Sequence, residues 1–195
     1  MQNNILYIHG FNSSPESNKA IITKNYFAQH FPEVDFYCPQ IVSNPNAAIR
    51  QLETIVEKNL DKNSENQWHF IGSSLGGYFS TYLSEKYCSP TVLINPAIKP
   101  FELLTDYIGE QINPYTNEVY HVDESYINDL KILERRKLAE NNYMVMVQTD
   151  DEVLDYQQAV TKYQKCQLIV QQGGDHSFVG YENMLPEIVN FFKMS

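Results

Sequence analysis

The sequence contains one serine in a pattern that can expose a nucleophile, at the centre of the pentapeptide Gly72-Ser73-Ser74-Leu75-Gly76. An apolar run at 68–71 precedes it and a helix-compatible segment follows it, which predicts a buried strand, a sharp turn and a helix. Such a turn raises a serine hydroxyl above the edge of a sheet, where it can attack a carbonyl carbon. A frame centred on Ser73 would need glycine at positions 71 and 75, so Ser74 is the candidate nucleophile.

A serine hydroxyl needs a base to accept its proton, and histidine is the usual base. His176 lies in the segment Gly173-Gly174-Asp175-His176-Ser177, which follows the last predicted strand. Because the carboxyl ends of parallel strands meet at one edge of a sheet, this loop would bring the imidazole over Ser74. The other histidines lie in a helix, in a strand, in an aromatic insertion and at the end of the first strand: His30, His69, His121 and His9.

A carboxylate should hold that imidazole in the productive orientation. The segment at 149–155 follows a predicted strand and lies between the candidate serine and histidine, which gives the chain order Ser, Asp, His. Asp151 is the preferred residue, with Asp150 and Asp155 as alternatives. Asp175 is too close to the histidine in sequence to orient its ring easily.

Acyl transfer also needs hydrogen-bond donors for the oxyanion that forms during attack. One donor should be the N–H of Leu75, at the start of the helix that follows the serine. The second should come from the loop after the first strand, where Gly10 lets the backbone turn near the site and Phe11 offers its N–H. His9 is then expected to brace this loop through hydrogen bonds rather than to transfer protons.

The elements that must position these residues alternate between strand and helix patterns along the chain. Short apolar runs bounded by turn residues predict strands at about 5–11, 34–39, 68–71, 91–96, 143–148 and 167–170. Periodic apolar spacing predicts helices at about 17–31, 46–60, 75–87, 156–164 and 182–192. This alternation with short links predicts an α/β fold built on an open, mostly parallel sheet.

The alternation breaks at about residues 97–142, a segment rich in aromatic residues and without a clear strand pattern. It is too long for an ordinary connection, and it follows the carboxyl end of a parallel strand, where α/β proteins bind ligands. We therefore expect a lid-like insertion in a single domain that spans residues 1–195. The alternative is a pair of helices that covers the outside of the sheet.

The composition fits one globular domain of 195 residues, of which 43% are hydrophobic. The net charge of −10 argues against nucleic acid or an anionic membrane surface as a partner. No apolar stretch approaches the length of a membrane span, and the first four residues lack the basic start of a secretion signal. Three widely spaced cysteines are expected to be reduced core thiols in a cytoplasmic protein: Cys38, Cys88 and Cys166.

Longer motifs make the prediction more specific. They are LYIHGFNSSP at 6–15, IGSSLGGY at 71–78, NPA at 95–97, PFELLTDY at 100–107, NPYT at 113–116, DEVLDY at 151–156, QAV at 158–160, and Gly173-Gly174 with His176. Together they resemble, nearly from end to end, the YqiA-like family of small bacterial esterases in the α/β-hydrolase superfamily. The serine pentapeptide alone would indicate only the superfamily, whereas the motifs of the insertion are far more specific.

The resemblance implies carboxylic-ester hydrolysis by Ser74, Asp151 and His176, without a metal or an organic cofactor. It also implies a reduced α/β-hydrolase fold that lacks the first two antiparallel strands, with six parallel strands in the order 2-1-3-4-5-6, flanked by helices. One position departs from the family pattern, since Asp150 stands where the family often has glycine. The departure bears on which aspartate orients the histidine, and Asp151 stays preferred.

The expected substrate is a small-molecule ester that forms an acyl-enzyme on the serine. Its acyl group should contact six residues: Phe11, Tyr78, Phe101, Leu104, Tyr107 and Phe178. An acyl-CoA thioesterase would use the same parts, so a thioester is the alternative substrate. A non-catalytic hydrolase-like binding protein would lack a triad member, and here all three are present. A serine peptidase or a phosphoryl transferase is disfavoured, because no peptide-binding domain is indicated and no G-x-x-x-x-G-K-[ST] motif follows the first strand.

Overall fold

The computed structural model describes residues 2–62 and 65–194, which form eight strands in two sheets. In chain order the strands are β1 (Asn3–Ile8), β2 (Asp35–Tyr37), β3 (Gln67–Ser73), β4 (Thr91–Ile94), β5 (Gly109–Ile112), β6 (Val119–Val122), β7 (Tyr143–Gln148) and β8 (Gln167–Gln171). Six of them form a parallel sheet in the order β2-β1-β3-β4-β7-β8. Counted over these six strands alone, this is the predicted order 2-1-3-4-5-6, and the predicted α/β fold is confirmed.

The same residues contain seven α-helices. They are α1 (Asn18–His30), α2 (Pro45–Lys62), α3 (Leu75–Tyr87), α4 (Pro100–Leu103), α5 (Glu124–Ile132), α6 (Tyr156–Lys162) and α7 (Leu185–Phe192). The predicted helices and sheet strands are all present, with ends displaced by a few residues. None of these helices has both the length and the apolar character needed to cross a membrane.

The four central strands of the parallel sheet, β1, β3, β4 and β7, are buried on both faces because helices cover the sheet on both sides. On one face, Ile5 and Tyr7 of β1 pack in a core that includes residues of α1 and α7. On the other face, Leu6 and Ile8 pack in a core that includes residues of α2 and α3. Full burial of such a side chain stabilises the fold by about 1.5–3 kcal/mol. The buried strands therefore fix the positions from which the loops at the carboxyl edge of the sheet begin.

The insertion at about 97–142 contains α4, the hairpin of β5 and β6, and α5, so it includes two strands for which the sequence shows no clear pattern. Each hairpin strand has only four residues, which is too short for an alternating pattern to stand out. A local turn precedes β6, in which the Asn113 side chain accepts hydrogen bonds from the N–H groups of Tyr115 at 2.9 Å and Thr116 at 3.3 Å. The hairpin is thus specified by turn chemistry rather than by periodicity.

The helix α5 and the hairpin of the insertion both contact the rest of the fold. Its helix α5 packs against α2 and buries Leu130. Its hairpin binds the loop after β1, because the Tyr120 hydroxyl donates to Asn12 Oδ1 at 2.6 Å and Asn113 Nδ2 donates to the Ser13 carbonyl at 3.1 Å. One part therefore covers the helical layer, and the other part reaches the loop next to the candidate site.

The three cysteines are free thiols. Cys38 and Cys166 are partly buried, and burial raises the pKa of Cys38 to about 12 and that of Cys166 to about 11. The expectation of a core position is wrong for Cys88, which is exposed and ends α3 in a left-handed conformation with φ 53°.

Candidate active site

Ser74 lies at the sharp turn between β3 and α3, with φ 55° and ψ −121°. A non-glycine residue in such a conformation costs about 1–3 kcal/mol, which the surrounding structure must offset. The Ser74 N–H donates to the Ile94 carbonyl at 3.1 Å, and its own carbonyl accepts from Gly77 at 2.9 Å and Ala97 at 3.0 Å. The strained turn is therefore held by β4, by α3 and by the segment after β4.

Two glycines allow other backbone segments to lie against this turn. A Cβ at Gly76 would collide with the carbonyl of Ile8, so only glycine lets α3 start directly beside β1. A Cβ at Gly10 would lie 3.2 Å from Ser74 Cβ and 3.6 Å from Ser74 Oγ. The backbone of the loop after β1 thus runs directly against the candidate nucleophile, as a loop that binds an oxyanion must.

The two predicted oxyanion donors lie on either side of this contact. Leu75 is the first residue of α3, so its N–H has no partner within the helix. The N–H of Phe11 donates no hydrogen bond within residues 2–62 and 65–194. Both groups are free to bind a ligand oxygen, and their role as donors stays a prediction.

Asp151 and His176 form the closest pair of ionisable groups in this region. Nδ1 of His176 lies 2.9 Å from Oδ2 and 3.0 Å from Oδ1 of Asp151. The aspartate side chain is only 2% exposed, against 24% for the histidine. Oδ1 also accepts from the N–H groups of Val153 at 2.9 Å and Leu154 at 2.8 Å. The carboxylate is therefore fixed in place and turns the other ring nitrogen, Nε2, away from itself.

The pKa of Asp151 reflects two opposing influences. Burial alone would raise the pKa of the carboxyl, but hydrogen bonds from His176 and from the Leu154 and Val153 N–H groups stabilise the charged form. The net result is a pKa below the ordinary value. The aspartate is thus kept as an anion, which is the form that favours a proton on Nδ1 of the histidine.

The other candidate aspartates have different partners. Asp150 is exposed and accepts a hydrogen bond from the Thr149 hydroxyl at 3.2 Å. Asp155 caps α6 by accepting from the Gln157 N–H at 2.9 Å. Asp175 accepts from the N–H of the serine that follows His176, at 2.8 Å. Of the aspartates considered, Asp151 is the one whose carboxylate contacts the histidine ring.

Ser74 and His176 both line a cavity of about 290 Å³, which we call the polar cavity. Within the described ranges, 2–62 and 65–194, no hydrogen bond joins Ser74 Oγ to the imidazole. Such bonds are often long before a substrate binds and shorten in the reacting complex. The structure therefore brings Ser74 and His176 to one cavity at the carboxyl edge of the sheet, with Asp151 bound to the far nitrogen of the imidazole.

Asn95 is a positioning residue that the sequence analysis did not identify. It follows β4, is 2% exposed and adopts a positive φ of 39°. Its side-chain amide donates to the carbonyls of Asp175 at 3.0 Å and His176 at 3.3 Å, while its Oδ1 accepts from the Gln148 N–H at 3.0 Å. In the sequence it is a polar residue directly after an apolar strand, in the motif NPA at 95–97, and neither feature indicates its role.

Gln148, at the end of β7, holds the same loop from another side. Its buried side chain accepts from the N–H groups of Asp175 at 3.1 Å and Val179 at 2.9 Å, and donates to the Val179 carbonyl at 2.8 Å. A buried amide with this many partners is a specific clamp, because an apolar replacement would leave the loop groups unpaired. The position of His176 thus depends on two buried amides.

His9 has the contacts expected of a bracing residue. Its Nδ1 lies 3.0 Å from the Gly10 carbonyl, and its Nε2 accepts from the Ile41 N–H at 3.1 Å. Burial lowers the pKa of His9, against a smaller opposing effect of the Gly10 hydrogen bond. The neutral ring therefore ties the loop after β1 to the loop after β2.

The remaining histidines lie elsewhere. His69 is buried in β3, where burial lowers its pKa to about 4. His30 and His121 are exposed, on α1 and on the hairpin.

A second cavity of about 360 Å³, the apolar cavity, is also lined by Ser74. It lies between the serine turn and the insertion, and its lining is mostly apolar, with Phe11, Leu75, Ala97, Leu103, Leu104 and Tyr107 beside two carboxylates, Asp106 and Glu152. Three of the predicted acyl-contact residues, Phe11, Leu104 and Tyr107, are therefore next to the serine.

The other three predicted contacts, Tyr78, Phe101 and Phe178, line neither cavity. Tyr78 points from α3 towards α5 and donates to the Leu130 carbonyl at 2.7 Å. Phe178 is 2% exposed and packs edge-on against Tyr181 in the core. Phe101 packs against the core on the α2 and α3 side of the sheet. We leave these three out of the site, because their rings fill the interior instead of the cavities.

Within the described part of the chain, no group of three or more His, Cys, Asp or Glu side chains is arranged to hold a metal ion.

The parallel sheet, the strained serine turn after β3 and the loop histidine define an α/β-hydrolase fold. Three solved structures share it: Est1E from Butyrivibrio proteoclasticus with ferulic acid bound, the monoacylglycerol lipase of Paleococcus ferrophilus, and mouse alpha/beta hydrolase domain-containing protein 10. Their TM-scores are 0.70, 0.69 and 0.68, and their identities to this chain are 13%, 13% and 15%. Each alignment covers 98% of this chain, and 88%, 95% and 90% of the respective other chain.

The particular family follows from the sequence. A family model described as "Uncharacterised protein family (UPF0227)" matches residues 4–193. Since this is nearly the whole chain, the protein belongs to that family, which is the YqiA-like family that the motifs predicted.

Proposed function

We propose that the protein is a serine carboxylic-ester hydrolase that acts through Ser74, Asp151 and His176. The observation that carries the proposal is the Asp151–His176 pair, in which the carboxylate is buried and the imidazole lines the same cavity as the strained Ser74. The Gly10 backbone packed against the serine supports an oxyanion site at the same point. The neighbouring folds are consistent with this chemistry, and two of those proteins are named as a lipase and as an Est1E with ferulic acid bound.

In the first half-reaction, His176 Nε2 takes the proton of Ser74 as Oγ attacks the ester carbonyl. The N–H groups of Phe11 and Leu75 bind the oxyanion of the tetrahedral intermediate. The intermediate collapses to an acyl-serine, and the leaving alcohol receives the proton from the imidazolium. In the second half-reaction, water gives its proton to His176 and attacks the acyl carbon, which releases the acid and restores Ser74.

The two cavities suggest how the substrate is oriented. His176 lines the polar cavity and is absent from the lining of the apolar cavity. Because the leaving group must accept a proton from His176, it should lie in the polar cavity, and the acyl chain should lie in the apolar cavity. The insertion supplies Leu103, Leu104 and Tyr107 to the apolar cavity, so we assign it the role of a lid that selects the acyl chain.

A fluorophosphonate probe and a series of p-nitrophenyl esters test the proposal. Wild type should hydrolyse the esters and be labelled at Ser74, whereas Ser74→Ala should stay folded and lose both properties. Ser73→Ala is the matched control, one residue away in the same turn, and should keep labelling. Labelling at Ser73, or no hydrolysis of any ester by wild type, would contradict the proposal.

A further inference from the structure

Lys19 is a cationic side chain that the mechanism above does not use. It lies in the first turn of α1 and lines the polar cavity together with Ser74 and His176. Its ammonium donates to the Ser177 carbonyl at 2.9 Å. An ammonium has three N–H donors, so two remain for a ligand. Within residues 2–62 and 65–194 it forms no ion pair.

The nearby carboxylates are occupied by other partners. Asp151 binds the imidazole, and Asp175 accepts from the N–H and the hydroxyl of Ser177. Burial lowers the pKa of Lys19, and the charges of Asp175 and Asp151 offset part of this shift. An anion that entered the cavity would favour the charged ammonium further.

The position of the cation is unfavourable for the helix. A positive charge in the first turn opposes the helix dipole, and α1 has no acidic residue in that turn to compensate for it. The chain as a whole carries a net charge of −10, so an anionic substrate would gain nothing from long-range attraction. A local cation inside the cavity is therefore what such a substrate would need.

We propose that Lys19 binds a carboxylate or phosphate group on the leaving-group side of the ester, so that the preferred substrates are acyl esters of acidic alcohols. This inference rests on the proposed esterase function and on the placement of the leaving group beside His176. The acyl group stays in the apolar cavity, and Lys19 acts on specificity without touching the reacting atoms.

The test uses three butyrate esters on one aromatic ring: 4-butyryloxybenzoate, 4-butyryloxyphenyl phosphate and the neutral 4-butyryloxybenzamide. Each kcat/KM is divided by the rate of spontaneous hydrolysis, which removes differences in leaving-group reactivity. Wild type should prefer one or both anionic esters, and Lys19→Met should reduce that preference by about 10- to 100-fold, the usual effect of a hydrogen bond to a charged group. Lys19→Arg should retain it, and Lys24→Met, an exposed lysine of the same helix, should change nothing.

Three outcomes would overturn the inference. The first is that wild type shows no preference for the anionic esters. The second is that Lys19→Met lowers kcat/KM equally for all three esters, and the third is that Lys24→Met loses the anionic preference as much as Lys19→Met does. The second outcome would mean that Lys19 only supports the loop of His176 through Ser177. If wild type hydrolysed none of the esters, the esterase proposal would fail separately. In that case, calorimetry would compare the binding of 4-butyryloxybenzoate to Ser74→Ala and to the double variant Ser74→Ala/Lys19→Met. The inference requires weaker binding to the double variant, and equal binding would overturn it.

Discussion

Replacing Asp151 with asparagine should remove most of the activity while leaving the fold intact. The carboxylate accepts from His176 Nδ1 and from the N–H groups of Val153 and Leu154. An asparagine oxygen can keep the two backbone bonds, which leaves the NH2 group facing the ring. An NH2 group is a donor, so Nδ1 would have to become an acceptor and the proton would move to Nε2. The imidazole could then no longer accept the serine proton.

The size of the effect follows from this change of tautomer. The corresponding substitution in a serine protease triad lowers kcat about 10⁴-fold, or about 5.4 kcal/mol of transition-state stabilisation. The asparagine preserves the volume of a side chain that is 2% exposed, so no cavity forms. Asp150→Asn is the matched control, because this carboxylate is exposed and accepts its hydrogen bond from the Thr149 hydroxyl instead of the histidine. It should change kcat/KM by less than about threefold.

The assay is kcat/KM for p-nitrophenyl butyrate, with thermal unfolding of both variants to verify the fold. The pKa of Asp151 is lowered in the folded protein, so the charged form stabilises the fold above the ordinary pKa of 3.8, and this contribution disappears as the pH falls through the lowered value. The stability difference between wild type and Asp151→Asn should therefore shrink in acid. A loss of less than tenfold in Asp151→Asn, or a larger loss in Asp150→Asn, would refute the reasoning.

Three further results are expected. Gln148→Leu should lower kcat by about 10-fold or more with little change in KM, because the loop of His176 loses the hydrogen bonds that hold it. Thermal unfolding should show that the free energy of unfolding falls by about 1–3 kcal/mol. An unchanged kcat would contradict the role of Gln148 as a clamp. Tyr107→Ala should change the ratio of kcat/KM between short and long p-nitrophenyl esters, whereas equal losses for all chain lengths would indicate a purely structural insertion. Burial lowers the pKa of His69 from 6.5 to about 4, so the buried neutral ring is compatible with the fold above pH 6.5. This contribution to stability is lost as the pH falls from 6.5 towards 4. Loss of stability over that interval, on the order of 3 kcal/mol, should be smaller in His69→Phe, as measured by urea unfolding at each pH.

The sequence by itself determined the features that depend on local patterns. Alternating apolar runs and amphipathic segments specify strands and helices through burial, so an open, mostly parallel sheet could be predicted, whereas the order of its strands came from the family resemblance. The glycines around Ser74 specify the turn, since a side chain at Gly76 would collide with β1. His176 could be found because any loop at the carboxyl end of a parallel strand must come to the same edge as the serine.

The tertiary structure alone decided which aspartate contacts the histidine. Asp150 and Asp151 are neighbours in one loop, yet the side chain of Asp150 faces solvent and that of Asp151 faces the interior. Neither composition nor motif spacing indicates which of the two faces the interior. The same limit applies to Tyr78 and Phe178, whose aromatic character suits a cavity as well as a core. These rings face the interior because of the direction that the backbone takes after the serine turn and in the histidine loop, and this direction is set by the tertiary structure.

The clamp formed by Asn95 and Gln148 was equally invisible in the sequence. Each is a single amide at the end of an apolar strand, and its partners lie 23 or more residues away along the chain. Hydrogen bonds of this range form only after the strands are placed side by side. Local sequence was therefore enough to predict which residue types form the site. The relative positions of their side chains depend on contacts that form only when the sheet is assembled.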